Sequence, residues 1–238
     1  LVGAHAAGTS TLMKLPFSMP EIGETGGFEG SIYFSGKEVK FKSPFDALDA
    51  GIGMVHQEFS LIPGFTTTEN ILLNRESLHG SVLTDIFGPR INALDRLAME
   101  SRATKAIDKL GVRLDPNMLI KEMPVGHKQF TEIARELCRE NVKLIVLDEP
   151  TAVLTESEAE VLLTTLRLLA AEGIAIIFIS HRLREVVELC DRVVVLRDGH
   201  KIEDFSAKGT STKKIASLMV GRSMEEQAAI AAASEERR

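Results

Sequence analysis

Leu144-Ile145-Val146-Leu147-Asp148-Glu149-Pro150 is the stretch whose reading decides the fold. Its four consecutive large apolar residues leave no polar face, the pattern of a strand covered on both sides in the middle of a parallel sheet. Asp148 and Glu149 follow at the carboxyl end of that strand, where open α/β sheets bind their ligands, and Pro150, which has no N–H, ends the pairing. In isolation a core strand running into an acidic turn reads the same way, so the assignment rests on what the rest of the chain places beside it.

Working outward, Ile174 to Ile179 is a second buried run and ends in Ser180-His181-Arg182. Upstream, Ile52 to Val55 is a strand with the polar exit His56-Gln57-Glu58. Leu1-Val2 is the stump of another, running into Gly3-Ala4-His5-Ala6-Ala7-Gly8-Thr9-Ser10-Thr11 and then Leu12-Met13-Lys14, which reads as strand, glycine-bounded loop and helix. Pro16 stops that helix early, and Pro20, Gly23, Gly26 and Gly27 make a loop. Polar clusters thus stand at the carboxyl ends of four buried strands and can converge on one ligand. A glycine-bounded loop opening a helix favours phosphate, because its free N–H groups and the helix dipole both attract an anion, so the expected ligand is a nucleotide.

Between the strands the periodicity is helical. Lys128 to Glu140 carries Phe130, Ile133, Ala134, Leu137 and Cys138 on one face, and Thr155 with Glu158 forms a capping box for a helix carrying Ala159, Leu162, Leu163, Leu166 and Leu169. A helix through Leu183, Val186, Val187 and Cys190 leads to strand Val193 to Leu196, the turn Asp198-Gly199 and strand Lys201 to Phe205. Ser31 to Val39 reads as a hairpin and Phe45 to Ala50 as a short helix. The fold class is α/β: a parallel sheet with an inserted helical subdomain, itself broken by loops near Leu78 to Pro89 and Leu114 to Asn117, and a small antiparallel β piece. The expected domains are a discontinuous nucleotide-binding core over 1–58 and 141–205, a helical subdomain over 59–140, and a helix and tail over 206–238.

The 238 residues are 44% hydrophobic and 26% charged, which suits one large domain or a domain with a subdomain. A net charge of -6 provides no basic face for nucleic acid or for an electrostatic membrane contact. Cys138 and Cys190 fall on apolar helix faces and read as small core residues in a reducing compartment. No apolar run approaches the roughly 20 residues that span a bilayer, and no signal peptide opens the chain, so the expected location is the cytoplasm. The first residue, Leu1, points to a start inside a longer protein.

With these residues in place the chain resembles the ATP-binding cassette ATPases, and in particular the first cassette of the tandem ATPases that drive bacterial simple-sugar importers. Leu144 to Pro150 resembles a Walker B strand of the P-loop NTPase, RecA-like sheet, Gln57 a Q-loop glutamine and His181 an H-loop histidine. Met123-Pro124-Val125-Gly126-His127 stands where the signature motif sits, and Thr151 to Glu156 and Val55 to Glu58 carry the likeness to the sugar importers. The resemblance implies ATP and Mg²⁺ as cofactors. It implies that Asp148 holds Mg²⁺ through water and that Glu149 polarises the attacking water as general base. Gly3, Gly8, Thr9, Ser10 and Thr11 form the phosphate loop, with Ser10 on Mg²⁺ and Thr11 on a phosphate. Gln57 senses the γ-phosphate and Mg²⁺ and relays that to the helical subdomain, His181 contacts the γ-phosphate, and Pro124, Val125, Gly126 and His127 close over ATP held by a second cassette. The implied partners are that cassette, membrane permease subunits on the inner face of the plasma membrane and, indirectly, a sugar-binding protein, with no nucleic acid.

The chain also departs from the pattern. The lysine of G-x-x-x-x-G-K-[ST] is Thr9, and losing one preorganised donor at an oxyanion costs on the order of 10² to 10³ in rate. Lys14 lies five residues on, roughly 7.5 Å along the helix, too far to substitute. Pro124 replaces the signature serine and offers neither hydroxyl nor N–H, and Thr155 stands where the segment after Walker B usually has aspartate. The family's strands before the phosphate loop, with the aromatic residue that stacks on adenine, lie before Leu1, which predicts exposed sheet edges and low stability for this chain alone. Two readings follow: an ATPase that powers uptake of a simple sugar, or a cassette that binds nucleotide without hydrolysing it and has a structural or regulatory role. A soluble cassette acting on DNA or ribosomes is disfavoured by the acidic charge.

Overall fold

The computed structural model describes residues 1–3, 7–17, 19, 22, 24, 26–79 and 93–221. Ala4, His5 and Ala6 of the phosphate loop, Pro20 and Gly23 of the following loop, the expected loop from residue 80 to Pro89 and the tail after Gly221 lie outside the described residues.

The elements follow the order β1 (Val2–Gly3), α1 (Thr9–Lys14), β2 (Ile32–Phe34), β3 (Lys37–Val39), α2 (Pro44–Asp49), β4 (Ile52–Val55), α3 (Thr67–Ile71), β5 (Leu78–His79), β6 (Ala93–Leu94) and α4 (Arg96–Asp108). A 3-10 turn at Ile120–Glu122 precedes α5 (Val125–Leu137), β7 (Leu144–Asp148), α6 (Glu156–Ala171), β8 (Ala175–Ile179), α7 (Leu183–Leu189), β9 (Arg192–Arg197), β10 (His200–Ser206) and α8 (Thr212–Val220). Polar caps account for most helix starts, since each satisfies an amide the helix leaves unpaired: Ser43, Thr66, Asp95, Thr155 and Ser211 all accept from a first-turn N–H. Thr66 with Glu69 and Thr155 with Glu158 form complete capping boxes.

The strands pair as β4-β7-β8 and β1-β9-β10, with β1 parallel and β10 antiparallel to β9. Leu1 N donates to Phe178 O at 2.8 Å and so sets β1 beside β8, giving the order β4-β7-β8-β1-β9-β10. Glu149 N donates to Ile179 O at 2.9 Å, which brings the carboxyl ends of β7 and β8 together. Ile145, Val146 and Leu147 are buried, as a doubly covered strand requires.

The chain divides into two compact units. The first comprises Leu1–Gly53, Val146–Glu149 and the described residues from Ala175 on; the second comprises Met54–Ile145 and Pro150–Ile174. Val2, Phe178, Val193, Val195 and Ile215 are buried within the first, and Ile71, Leu110, Phe130, Ile133, Leu162 and Leu166 within the second. In the second unit the Thr165 hydroxyl donates to Leu110 O at 2.9 Å, satisfying a carbonyl just past the end of α4.

Helix α5 starts at Val125, three residues before the expected Lys128, because Pro124 can serve as N-cap and the helical backbone then runs straight through His127. It ends at Leu137 rather than Glu140, in a turn tightened by Arg139 N donating to Glu136 O. The short pairing of Leu78 with Leu94 and His79 with Ala93 falls in a stretch that reads as helix and loop, since two-residue strands are too short to show an alternating pattern. Among the described residues no helix is long and apolar enough to cross a membrane.

Candidate nucleotide-binding site

In the first unit the carboxyl ends of β7 and β8 carry an acid and an imidazole in contact. Glu149 follows β7 with φ +53, in the left-handed region that non-glycine residues rarely adopt, and its amide is tied to Ile179 O. Such a conformation costs on the order of 1 to 3 kcal/mol and persists only where the surroundings enforce it. It turns the carboxylate to His181, whose Nδ1 lies 2.5 Å from Glu149 Oε2. The two differ in access: the His181 side chain is 64% exposed and that of Glu149 21%. Ser180 is buried and its hydroxyl accepts from Arg182 N at 3.0 Å, which fixes the turn that presents His181. Asp148, the last residue of β7, is also buried.

The phosphate loop begins at Gly3 on β1. A Cβ built there would stand 2.6 Å from Ala7 Cβ and 3.0 Å from Leu196 O, so the loop folds back on its own strand only because residue 3 lacks a side chain. Gly8, at φ +89, caps α1, and Leu12 N donates to Gly8 O at 2.9 Å. Thr9 opens the helix half-buried, with Ser10 and Thr11 exposed in its first turn and Lys14 half-buried in its last. The β9–β10 turn braces this loop, since Gly199 N donates to Ala7 O at 3.2 Å. Sequence reading marked Asp198-Gly199 only as a turn; the glycine pair Gly8 and Gly199, which need positive φ at facing positions, was the available signal.

Gln57 and the signature residues belong to the second unit. Gln57 is exposed just past β4. Pro124 is the N-cap of α5 without a side-chain bond to the helix, Val125 is exposed, Gly126 is buried and His127 is half-buried. A Cβ built on Gly126 would collide with the Glu158 carboxylate, so the bare Cα is what lets that carboxylate approach. Bonds from the Thr155 amide and hydroxyl, and then the charge of His127, hold the Glu158 carboxyl below its ordinary range. Glu132, inside α5, is the opposite case: burial pushes its carboxyl up, opposed by a bond from the Ser60 amide and by Arg135.

The donors fit Mg²⁺. The described residues hold no cluster of three or more His, Cys, Asp or Glu side chains, as a Zn²⁺ or Ca²⁺ cage would need. A buried aspartate closing a strand and a serine hydroxyl in the first turn of α1 supply hard oxygens, and Mg²⁺ takes one or two such protein ligands and completes its shell with water and phosphate.

A sheet in this strand order, with a glycine-bounded loop from β1 into a helix and an acid and a histidine at the ends of β7 and β8, defines the nucleotide-binding cassette form of the P-loop NTPase fold. The profile of the ABC transporter family matches residues 1–152, and the chain belongs to that family. It is 38% identical over 226 residues to the ribose import ATP-binding protein RbsA of Caldanaerobacter subterraneus, and 37% identical over 226 residues to the xylose import ATP-binding protein XylG of Geobacillus kaustophilus. Each comparison covers 95% of this chain and 42% of the relative, so the chain spans about two fifths of the length of these curated relatives. Among solved structures, the ADP conformation of the cassette MJ1267 superposes with a TM-score of 0.70 at 25% identity, covering 92% of this chain and 82% of that one. The dimeric post-hydrolysis cassette MJ0796 bound to ADP and Pi has a TM-score of 0.66 at 23% identity, covering 88% and 84%, and shares the fold.

Proposed function

We propose that this chain is an ATP-binding cassette that hydrolyses ATP to drive uptake of a simple sugar through membrane permease subunits. The observation that carries the reading is the Glu149–His181 contact, made by a carboxylate held in strained backbone where β7 and β8 end. Strain of that kind at a ligand edge marks a group positioned for chemistry. Import relatives for ribose, xylose and galactose support a sugar as cargo.

In this reading Gly3, Gly8, Thr9, Ser10 and Thr11 enclose the ATP phosphates. Asp148, Ser10 and Gln57 would hold Mg²⁺, which would neutralise phosphate charge when bound. Glu149 takes the proton of the water that attacks the γ-phosphorus as the bond to ADP breaks, and His181 orients Glu149 and the γ-phosphate. The Pro124–His127 turn closes over the nucleotide of a second cassette. The chain works at the inner face of the plasma membrane, bound to its permease, with a sugar-binding protein as an indirect partner.

Thr9 favours a second reading, a cassette that binds nucleotide without turning it over, because the phosphate loop lacks its cation. ATP turnover and ATP affinity of the wild type and Thr9→Lys, measured together, separate the two. Turnover above background in the wild type that rises about 10² to 10³-fold with lysine supports the hydrolase. Binding with turnover only after the lysine is restored supports the binder, and no binding by either protein refutes both.

A further inference from the structure

The segment that follows Gln57 is held by side chains at alternate residues, all within the second unit. Ser60 N donates to Glu132 Oε1 at 2.6 Å, and Ser60 O accepts from Arg135 Nη1 at 3.0 Å. Ile62 N donates to Asn70 Oδ1 at 2.7 Å, and Ile62 O accepts from Asn70 Nδ2 at 3.1 Å. Further on, Pro63 O and Phe65 O accept from Lys121 N and Ile120 N, each at 3.0 Å. Residues 60–62 lie outside any helix or strand, yet both backbone groups of Ser60 and of Ile62 are paired as they would be in a ladder. The stretch 56–59 between β4 and this clamp also has no regular structure and contains Gln57.

Glu132 is the unusual member. It is 1% exposed, its Oε2 has no partner, and its position in α5 lies between the core residues Phe130 and Ile133. A buried carboxylate with one unpaired oxygen is destabilising, and an apolar side chain would pack there without that penalty. What Glu132 adds is an acceptor for Ser60 and, at 3.6 Å, an ion pair with Arg135 that orients the donor to the same residue. Both side chains lie on the helix that opens at Pro124–Gly126.

We propose that Glu132 and Arg135 are the positioning residues of the relay that the resemblance implies for Gln57: they lock Ser60, and with it the Gln57 segment, to the signature helix α5. This rests on the reading of Gln57 given above. The clamp carries that relay as a rigid link: Ser60 cannot move without α5 while both of its backbone groups are bonded to it.

Amide hydrogen exchange on the full chain, with and without ATP and Mg²⁺, tests this in wild type, Glu132→Leu and Glu132→Gln. Without nucleotide, Glu132→Leu should speed exchange of the Ser60 amide at least about tenfold, whereas Glu132→Gln, which keeps an acceptor oxygen, should restore protection. With ATP, exchange at residues 124–130 should change in wild type and Glu132→Gln and stay unchanged in Glu132→Leu, although the peptide covering residues 1–15 responds in all three. Wild-type exchange at Ser60 in the leucine variant, or an unaltered ATP response at 124–130, would overturn the proposal while leaving ATP binding intact. Absence of any response in residues 1–15 of the wild type refutes the ATP reading itself, and the coupling with it.

Discussion

Gly126→Ala pits two terms of known sign against each other. The residue sits in the first turn of α5 with no positive φ, so alanine should favour the helix by about 0.5 to 1 kcal/mol. Its new Cβ, however, would stand 2.8 Å from Glu158 Cδ and Oε2 and closer to Oε1, a separation that side chains do not tolerate. The carboxylate is the free end of a flexible side chain and must swing away. In doing so it abandons Thr155 N at 2.9 Å and the Thr155 hydroxyl at 2.8 Å, the reciprocal half of the capping box on α6. Losing a cap costs about 0.5 to 2 kcal/mol, so the single substitution should be neutral or destabilising by about 1 kcal/mol. In a Glu158→Ala background the obstruction is gone and the same change should stabilise. A double-mutant cycle read by thermal denaturation would then show about 1 to 2 kcal/mol of coupling, or roughly 2 to 8 °C in Tm. Equal effects of Gly126→Ala in the two backgrounds, within about 0.3 kcal/mol, would refute the claim that Gly126 exists to admit Glu158.

Other consequences follow from the same geometry. Because Glu149 is held at φ +53, Glu149→Gly should be more stable than Glu149→Ala by about 1 kcal/mol in urea denaturation, with both inactive in ATP turnover; the reverse order would remove the argument from strain. Burial raises the Glu132 carboxyl above its ordinary value of 4.5, so in the window between that value and the raised one the folded chain holds more protons than the unfolded. Stability must therefore fall as pH rises through the window, and the wild type should lose stability relative to Glu132→Gln as pH rises above 4.5; a difference moving the other way contradicts the burial argument. Burial also pushes the Cys190 thiol up, so iodoacetamide at pH 8 should alkylate it at least about tenfold more slowly than a free thiol, as followed by peptide mass analysis.

Which of these features the sequence announces depends on how local their cause is. The strand Leu144–Asp148 and the capping box at Thr155 were legible because each arises from neighbouring residues: an unbroken apolar run, and a hydroxyl three residues before a glutamate. The polar exits of β7 and β8 could be named as a site, and their contact at Glu149 and His181 follows from strand order. Glu132 was not legible. Its helix shows a clear apolar face, and a glutamate next to that face reads as solvated; only its pairing with Ser60, 72 residues away in sequence, gives it a role. The brace from Gly199 to Ala7 was missed for the same reason, since the parallel register of Gly3 with Leu196 has no local signature. Local chemistry therefore specified the elements and much of the site, while contacts distant in sequence specified what holds the site in place.

Thr9 and Glu149 pull the functional reading in opposite directions, and their magnitudes decide between them. Removing one cationic donor from a phosphate site costs about 10² to 10³ in rate, whereas enzymes typically accelerate their reactions by 10⁶ or more. A deficit of that size is smaller than a typical enzymatic acceleration, so in the hydrolase reading Thr9 slows turnover without abolishing it. A module selected only to bind nucleotide has no need of a left-handed glutamate: glycine at that turn would relieve about 1 kcal/mol or more. A left-handed glutamate held against His181 is what the proposed hydrolase asks of its general base, whereas the proposed binder makes no use of it. These magnitudes support the proposal of a slow ATPase, and an assay of wild-type turnover before any lysine is restored tests it: turnover at background would sink it.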